Sequence, residues 1–143
     1  PMNYENRDIY GMYNKGAPKS GPVKNGDGPG PRLMGAETLI GNSVVNAKDE
    51  DLGDIKEIML EVATGRVSYA VLSFGSFLGM GAKLFAVPWA ALSLDPINKR
   101  FILNAEKDHL KEAPGFNTDC WPDMADPSWV EHLHSFYGVK PRV

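Results

Sequence analysis

From Asp54 to Phe74 the chain reads DIKEIMLEVATGRVSYAVLSF, two apolar-patterned runs on either side of a four-residue turn, and this arrangement leaves few folds open. In the first run Ile58, Leu60 and Val62 alternate with Glu57 and Glu61, the period of two that sends successive side chains to opposite faces of a strand. Ala63 to Arg66 supplies a glycine-containing turn, and Val67 to Phe74, rich in β-branched and aromatic residues, runs back as a strand buried more fully. The two are expected to pair as a hairpin.

The same texture continues on both sides. LIGNSVVN (Leu39 to Asn46) leads into an acidic turn from Ala47 to Gly53, and KLFAVPW (Lys83 to Trp89), LSLD (Leu92 to Asp95) and RFILN (Arg100 to Asn104) follow. The last two are joined by PINK, Pro96 to Lys99. About six short strands at this spacing predict a mainly β fold, a small antiparallel barrel or sandwich, because closing the sheet removes exposed edges. Pro88 cannot donate a ladder hydrogen bond, so it marks a strand end or edge, with Trp89 folded inward as a cap.

Near the C-terminus the period becomes helical. Asp126 suits an N-cap, Pro127 the first turn and Gly138 the stop, with Trp129, Val130, Leu133, Phe136 and Tyr137 on one stripe. Lys107 to Phe116 is expected to add one shorter turn, ended by Pro114. At the other end, Gly and Pro dominate residues 15–32, which have no apolar periodicity and read as an extended arm. Met2 is the expected natural start. Within the arm Tyr10 and Tyr13, with Tyr4, Ile9 and Met12, are apolar enough to dock, and a neighbouring subunit is the expected surface. The chain thus divides into an arm over 1–36, a barrel over 37–116 and a helical extension over 117–143.

Charge and composition narrow the function. The net charge of −3 is uneven, with +2 on residues 1–33 and −5 on the remainder, so the folded part lacks the Lys/Arg surplus that phosphate neutralisation demands and nucleic acid is a disfavoured partner. No run approaches the ~20 apolar residues of a membrane helix, no secretory signal precedes the fold, and a cytoplasmic location is expected. Cys120 is the single cysteine, so no internal disulfide forms. His132 and His134 lie ~200° apart around the predicted helix, cannot chelate one metal together, and read as surface residues. His109 and Cys120 lack a third, orienting group. Asp49, Glu50, Asp51 and Asp54 lack calcium-loop spacing and read as a solvated turn. No catalytic, cofactor-binding or metal-binding residues are expected.

Ser73 to Leu92, SFGSFLGMGAKLFAVPWAAL, is the densest glycine stretch that is also apolar. It matches neither a dinucleotide fingerprint nor a P-loop, and Gly75, Gly79 and Gly81 read as the residues that let a twisted hairpin bend. Phe77, Leu78 and Met80 then fall at a loop tip, where apolar side chains cost solubility unless a partner covers them. Together with Trp129, Phe136, Tyr137, Tyr10 and Tyr13 they form the candidate interaction surface.

IGNSVVN with LGDIKEIMLEVATGRVSYAVL, then FGSFLGMGAKLFAVPWAAL, and finally KDHLKEAPGF with Trp129 and FYGVKP, resemble in order the segments of the PRC-barrel family over about Leu39 to Pro141. That module is shared by the cytoplasmic part of the photosynthetic reaction centre H subunit and the C-terminal part of a ribosome maturation factor. The resemblance is closest to stand-alone bacterial members, and it implies a small β-barrel without a catalytic signature. The expected role is a non-enzymatic interaction or assembly module that associates with itself. Two alternatives follow from the resemblance. One is a ligand- or quinone-linked accessory of electron transfer, with a pocket lined by Phe74, Phe85 and Trp89; the other is an RNA-binding factor in ribosome assembly.

Overall fold

The computed structural model describes residues 8–13, 32–74 and 83–141. Its elements in chain order are α1 (Ala36–Leu39), β1 (Ser43–Val45), β2 (Asp51–Leu60), β3 (Val67–Phe74), β4 (Lys83–Pro88), a 3-10 turn (Trp89–Ala91), β5 (Leu92–Asp95), β6 (Arg100–Leu103), α2 (Lys107–Lys111), β7 (Gly115–Phe116) and α3 (Pro127–Tyr137). The seven strands form one sheet in the order β5-β6-β1-β2-β3-β4-β7. The fold is therefore mainly β, as expected, but the outer strands β5 and β7 do not pair with each other and the barrel is only approximate.

One pairing departs from the antiparallel expectation. β6 runs parallel to β1, with Val44 opposite Phe101 and Val45 opposite Ile102. After β4, the corner at Trp89–Ala91 carries the chain round to the free edge of β1, and the β5–β6 hairpin arrives there with β6 in the direction of β1. This non-local pairing has no signature in either strand's own sequence. The local junctions do. Pro88 ends β4, Trp89 turns inward with its ring edge-on to Phe101 at 5.6 Å, and Asp95 accepts hydrogen bonds from the backbone N–H groups of Ile97 and Asn98 in the turn to β6.

The β2–β3 hairpin forms in the expected place, but the buried face of β2 differs from simple alternation. The register shifts between Ile55 and Glu57 and again between Met59 and Leu60. Each bulge adds an unpaired residue and resets which side chains face inward. Leu52 and Ile55 are consequently the fully buried residues of β2, Ile58 is half-buried, and Leu60 is 49% exposed. Val62 lies beyond the strand, in the turn, at 89% exposure. The segment from Leu39 to Asn46 also splits, because Leu39 ends α1 and only Ser43–Val45 is strand.

β3 is covered on both faces. Ala70 and Leu72 join Phe85, Val87, Val44, Leu52, Ile55, Phe101, Leu103 and Leu110 in the main core. Tyr69 and Ala86 face the other way and pack with Leu133 of α3 in a second cluster, flanked by Met59, Phe116, Met124, Trp129 and Tyr137. Helix α3 is capped as its sequence dictates: Asp126 accepts from the Ser128 N–H at 2.9 Å, Pro127 opens the first turn and Gly138 ends the last.

Two buried polar groups fix loops to this core. Asp8 accepts hydrogen bonds from the backbone N–H groups of Met12 and Tyr13, closing residues 8–13 into a turn. Asn46 accepts from the N–H groups of Lys48 and Glu50 through its carbonyl, while its amide donates to the Glu50 carboxylate and to the Ala105 carbonyl. It thereby ties the β1–β2 turn to the connection between β6 and α2. Replacing Asn46 with alanine orphans these groups together and is expected to cost about 2 kcal/mol, read as a lowered urea midpoint at unchanged m-value.

Candidate functional site

Among the described residues an apolar groove of about 400 Å³ lies beside the rolled sheet. Its sides come from the segment before α1 (Leu33, Met34), the hairpin end (Ile58, Val67), the corner residue Trp89 and the β5 residue Leu94. Arg32 stands at its rim as the only formal charge in the lining. The register explains why apolar groups gather there. Leu60 lies opposite Val67 across the hairpin, and Ile58, opposite Ala70, packs half-buried against the main core and also lines the groove. Leu33, in the groove lining, is 74% exposed.

A second depression, of about 480 Å³, lies between the β2–β3 turn and α3 and is more polar. At its inner wall the Tyr69 hydroxyl and His134 Nε2 are 3.1 Å apart, and His134 Nδ1 is 3.1 Å from the Val139 carbonyl. A carbonyl only accepts, so in the neutral ring Nδ1 carries the proton and Nε2 receives the Tyr69 O–H. Burial raises the Tyr69 phenol above its ordinary pKa, which keeps it a donor. These groups satisfy each other and stabilise α3 on the sheet, and neither is poised toward an external atom. Tyr69→Phe leaves Nε2 without its donor and is expected to cost about 1 to 2 kcal/mol by urea unfolding. A double-mutant cycle with His134→Ala should assign about 1 kcal/mol to the pair.

His134 was expected at the surface and is instead 8% exposed. On α3 it follows Val130 by four residues and precedes Tyr137 by three, which puts it on the buried stripe. That spacing was the available signal. His132 is exposed as expected. Among the described residues no group of three or more His, Cys, Asp or Glu side chains is arranged to hold a metal ion.

The residues expected to form an interaction surface are scattered. Tyr10 is 67% exposed, whereas Tyr13 is 2% exposed and belongs to the main core of its own chain, with its hydroxyl bonded to the Asn42 amide. Spacing alone could not reveal that the turn closed by Asp8 aims one tyrosine inward. The three helix aromatics are half-buried against their own fold. Trp129 packs edge-on to Tyr69 at 5.3 Å, Phe136 stacks on His109 at 4.1 Å, and Tyr137 bridges both hydrophobic clusters. Burial raises the Tyr137 phenol pKa, and its hydroxyl has no hydrogen-bond partner among the described residues. Phe77, Leu78 and Met80 lie outside the described residues.

Among the described residues, neither Phe74 nor Phe85 lies in the lining of the groove that Trp89 faces. Phe85 is 1% exposed and meets Phe74 edge-on at 6.2 Å, and Lys83 and Lys107 lie over the two rings. Trp89 faces the apolar groove instead. The signal that sequence reasoning missed is Leu33, which lies in the stretch read as arm and forms one wall of the groove.

A rolled but unclosed β-sheet with a helix on its outer face, an apolar groove beside it and no convergent polar set among the described residues defines a small β module of the binding type. The chain belongs to the PRC-barrel domain family, whose model matches residues 31–110. Domains of this family are generally non-catalytic and mediate protein interactions. No curated protein matches the chain. No helix among the described residues is long and apolar enough to cross a membrane.

Proposed function

We propose that this chain is a non-enzymatic interaction and assembly module that associates with copies of itself through the apolar groove beside the rolled sheet. The observation that supports the reading is the 74% exposure of Leu33 on a groove otherwise lined by Met34, Ile58, Val67, Trp89 and Leu94. Full burial of an exposed side chain such as Leu33 contributes about 1.5 to 3 kcal/mol, and the half-buried lining side chains contribute correspondingly less, so the association expected is weak. The polar alternative is less well supplied, since the buried polar pair in the second depression, Tyr69 and His134, is hydrogen-bonded within itself.

Light scattering across a concentration series tests the reading. Self-association rising through the micromolar range supports it, and a strict monomer at high micromolar concentration overturns it. Leu33→Asp places a carboxylate on the exposed groove wall without disturbing the core, and is expected to shift the equilibrium toward monomer by about tenfold or more.

A further inference from the structure

We infer that the turn carrying Ile9 and Tyr10 of one copy seats in the apolar groove of a second, and that the exchange is reciprocal, so association stops at a two-fold dimer; this rests on the self-association reading above. Three observations lead there. First, the turn presents apolar groups where polar ones are usual. The Gly11 N–H donates to the Asp8 carbonyl at 3.1 Å, which puts Ile9 and Tyr10 at the two central positions of a β-turn. Gly, Pro, Asn, Asp and Ser dominate turns, yet here Ile9 is 70% exposed and Tyr10 67%. Neither lines the groove of its own chain.

Second, the turn is held rigid from below. The Asp8 carboxylate accepts from the Met12 and Tyr13 N–H groups, and Gly11 takes φ at +66°. The Met12 sulfur accepts from the Gly35 N–H at 3.0 Å, and the buried Tyr13 receives the Asn42 amide at its hydroxyl. Side chains on a turn already fixed in place give up less freedom on docking than the same groups on a free tail. The groove also suits them chemically. Its lining is apolar apart from Arg32, whose guanidinium offers the face of an entering Tyr10 ring a cation to stack on.

Third, turn and groove are neighbours. Gly35, which the Met12 sulfur holds, lies between Met34 and Ala36 of the groove lining, and Tyr10 is at most about 7 Å along the chain from Met12. A two-fold axis between turn and groove therefore lets each copy fill the other's groove in one contact, an isologous interface that closes on itself. The four turn side chains and the walls they cover bury on the order of 1,000 Å², the lower end for a specific complex, so dimerisation depends strongly on concentration.

The test uses the full chain in four forms: wild type, Ile9→Asp, Tyr10→Asp and Leu33→Asp. By analytical ultracentrifugation wild type is expected to show a monomer–dimer equilibrium with nothing larger, and each variant alone a dissociation constant raised at least tenfold. An equimolar mixture of Tyr10→Asp and Leu33→Asp is the decisive sample. The Leu33→Asp copy keeps an intact turn and the Tyr10→Asp copy an intact groove, so the mixed dimer retains one of the two contacts and should form more readily than either variant pairs with itself. A mixture that associates no better than its components overturns the inference, and wild-type species larger than dimers overturn the reciprocal closure. If Ile9→Asp and Tyr10→Asp dimerise like wild type while Leu33→Asp does not, the groove receives another surface of the second copy and the inference fails although the self-association reading stands. If wild type is monomeric throughout, it is the self-association reading that fails, and this inference with it.

Discussion

Gly53→Ala is expected to destabilise the protein by about 4 kcal/mol, a large fraction of the roughly 5 to 15 kcal/mol that holds a domain of this kind folded. Gly53 lies in β2 with φ at +109°, a backbone conformation that L side chains rarely adopt. An added Cβ would lie 3.1 Å from the Ser73 carbonyl carbon, 3.4 Å from the Phe74 Cα, and closer still to the Ser73 carbonyl oxygen. These are backbone atoms of the neighbouring strand and cannot rotate away. Relief would require β3 to move, and β3 is anchored on both faces. The control is Gly65→Ala in the β2–β3 turn, where φ is +77° but nothing lies within 4 Å of the new Cβ. It carries backbone strain alone and is expected to cost about 1 kcal/mol. Urea titration of the two variants checks the argument, and equal costs would show that the Ser73 carbonyl is not the constraint.

The parts of the fold that could be read from sequence are those fixed by neighbours along the chain. Asp126, Pro127 and Gly138 delimit α3, Pro88 stops β4, and the Pro96 to Lys99 turn joins β5 to β6, each through local hydrogen bonding or a missing N–H. Contacts between distant segments were not readable. The parallel β1–β6 pairing depends on how far the sheet rolls before β6 meets β1. The buried face of β2 depends on two bulges, which period-two reasoning assumes away. Tyr13 and His134 were placed by burial against segments far along the chain, near Asn42 and Tyr69 respectively. The groove was hidden for the same reason. Its walls come from Leu33, Ile58, Val67, Trp89 and Leu94, which are dispersed along the sequence and share no pattern. Leu33 in particular follows a Gly/Pro-rich stretch, and composition assigned it to the arm.

Leu133→Ala is expected to cost about 3 kcal/mol, although α3 lies beyond the matched family segment at 31–110. Leu133 is 1% exposed and fills the space between Tyr69 and Ala86 on the outer face of the β3–β4 hairpin. Removing it leaves a cavity under the helix, and Tyr69, with its bond to His134, loses packing on one side. A comparable cost for Leu110→Ala in the main core, with a single unfolding transition in both variants, would show that the helix and the sheet unfold as one unit. If α3 were an independent appendage, the Leu133 change would cost well under 1 kcal/mol and leave the main transition untouched. The substitution also bears on specificity. With α3 in place, Tyr69, Met59 and Phe116 pack against the helix. A loosened helix uncovers a second apolar face, so Leu133→Ala should increase association while making it insensitive to Leu33→Asp. Sedimentation of the double variant reads this directly: persistence of large species would identify α3 as the cover that confines association to the groove, and monomers would show that the outer face contributes nothing.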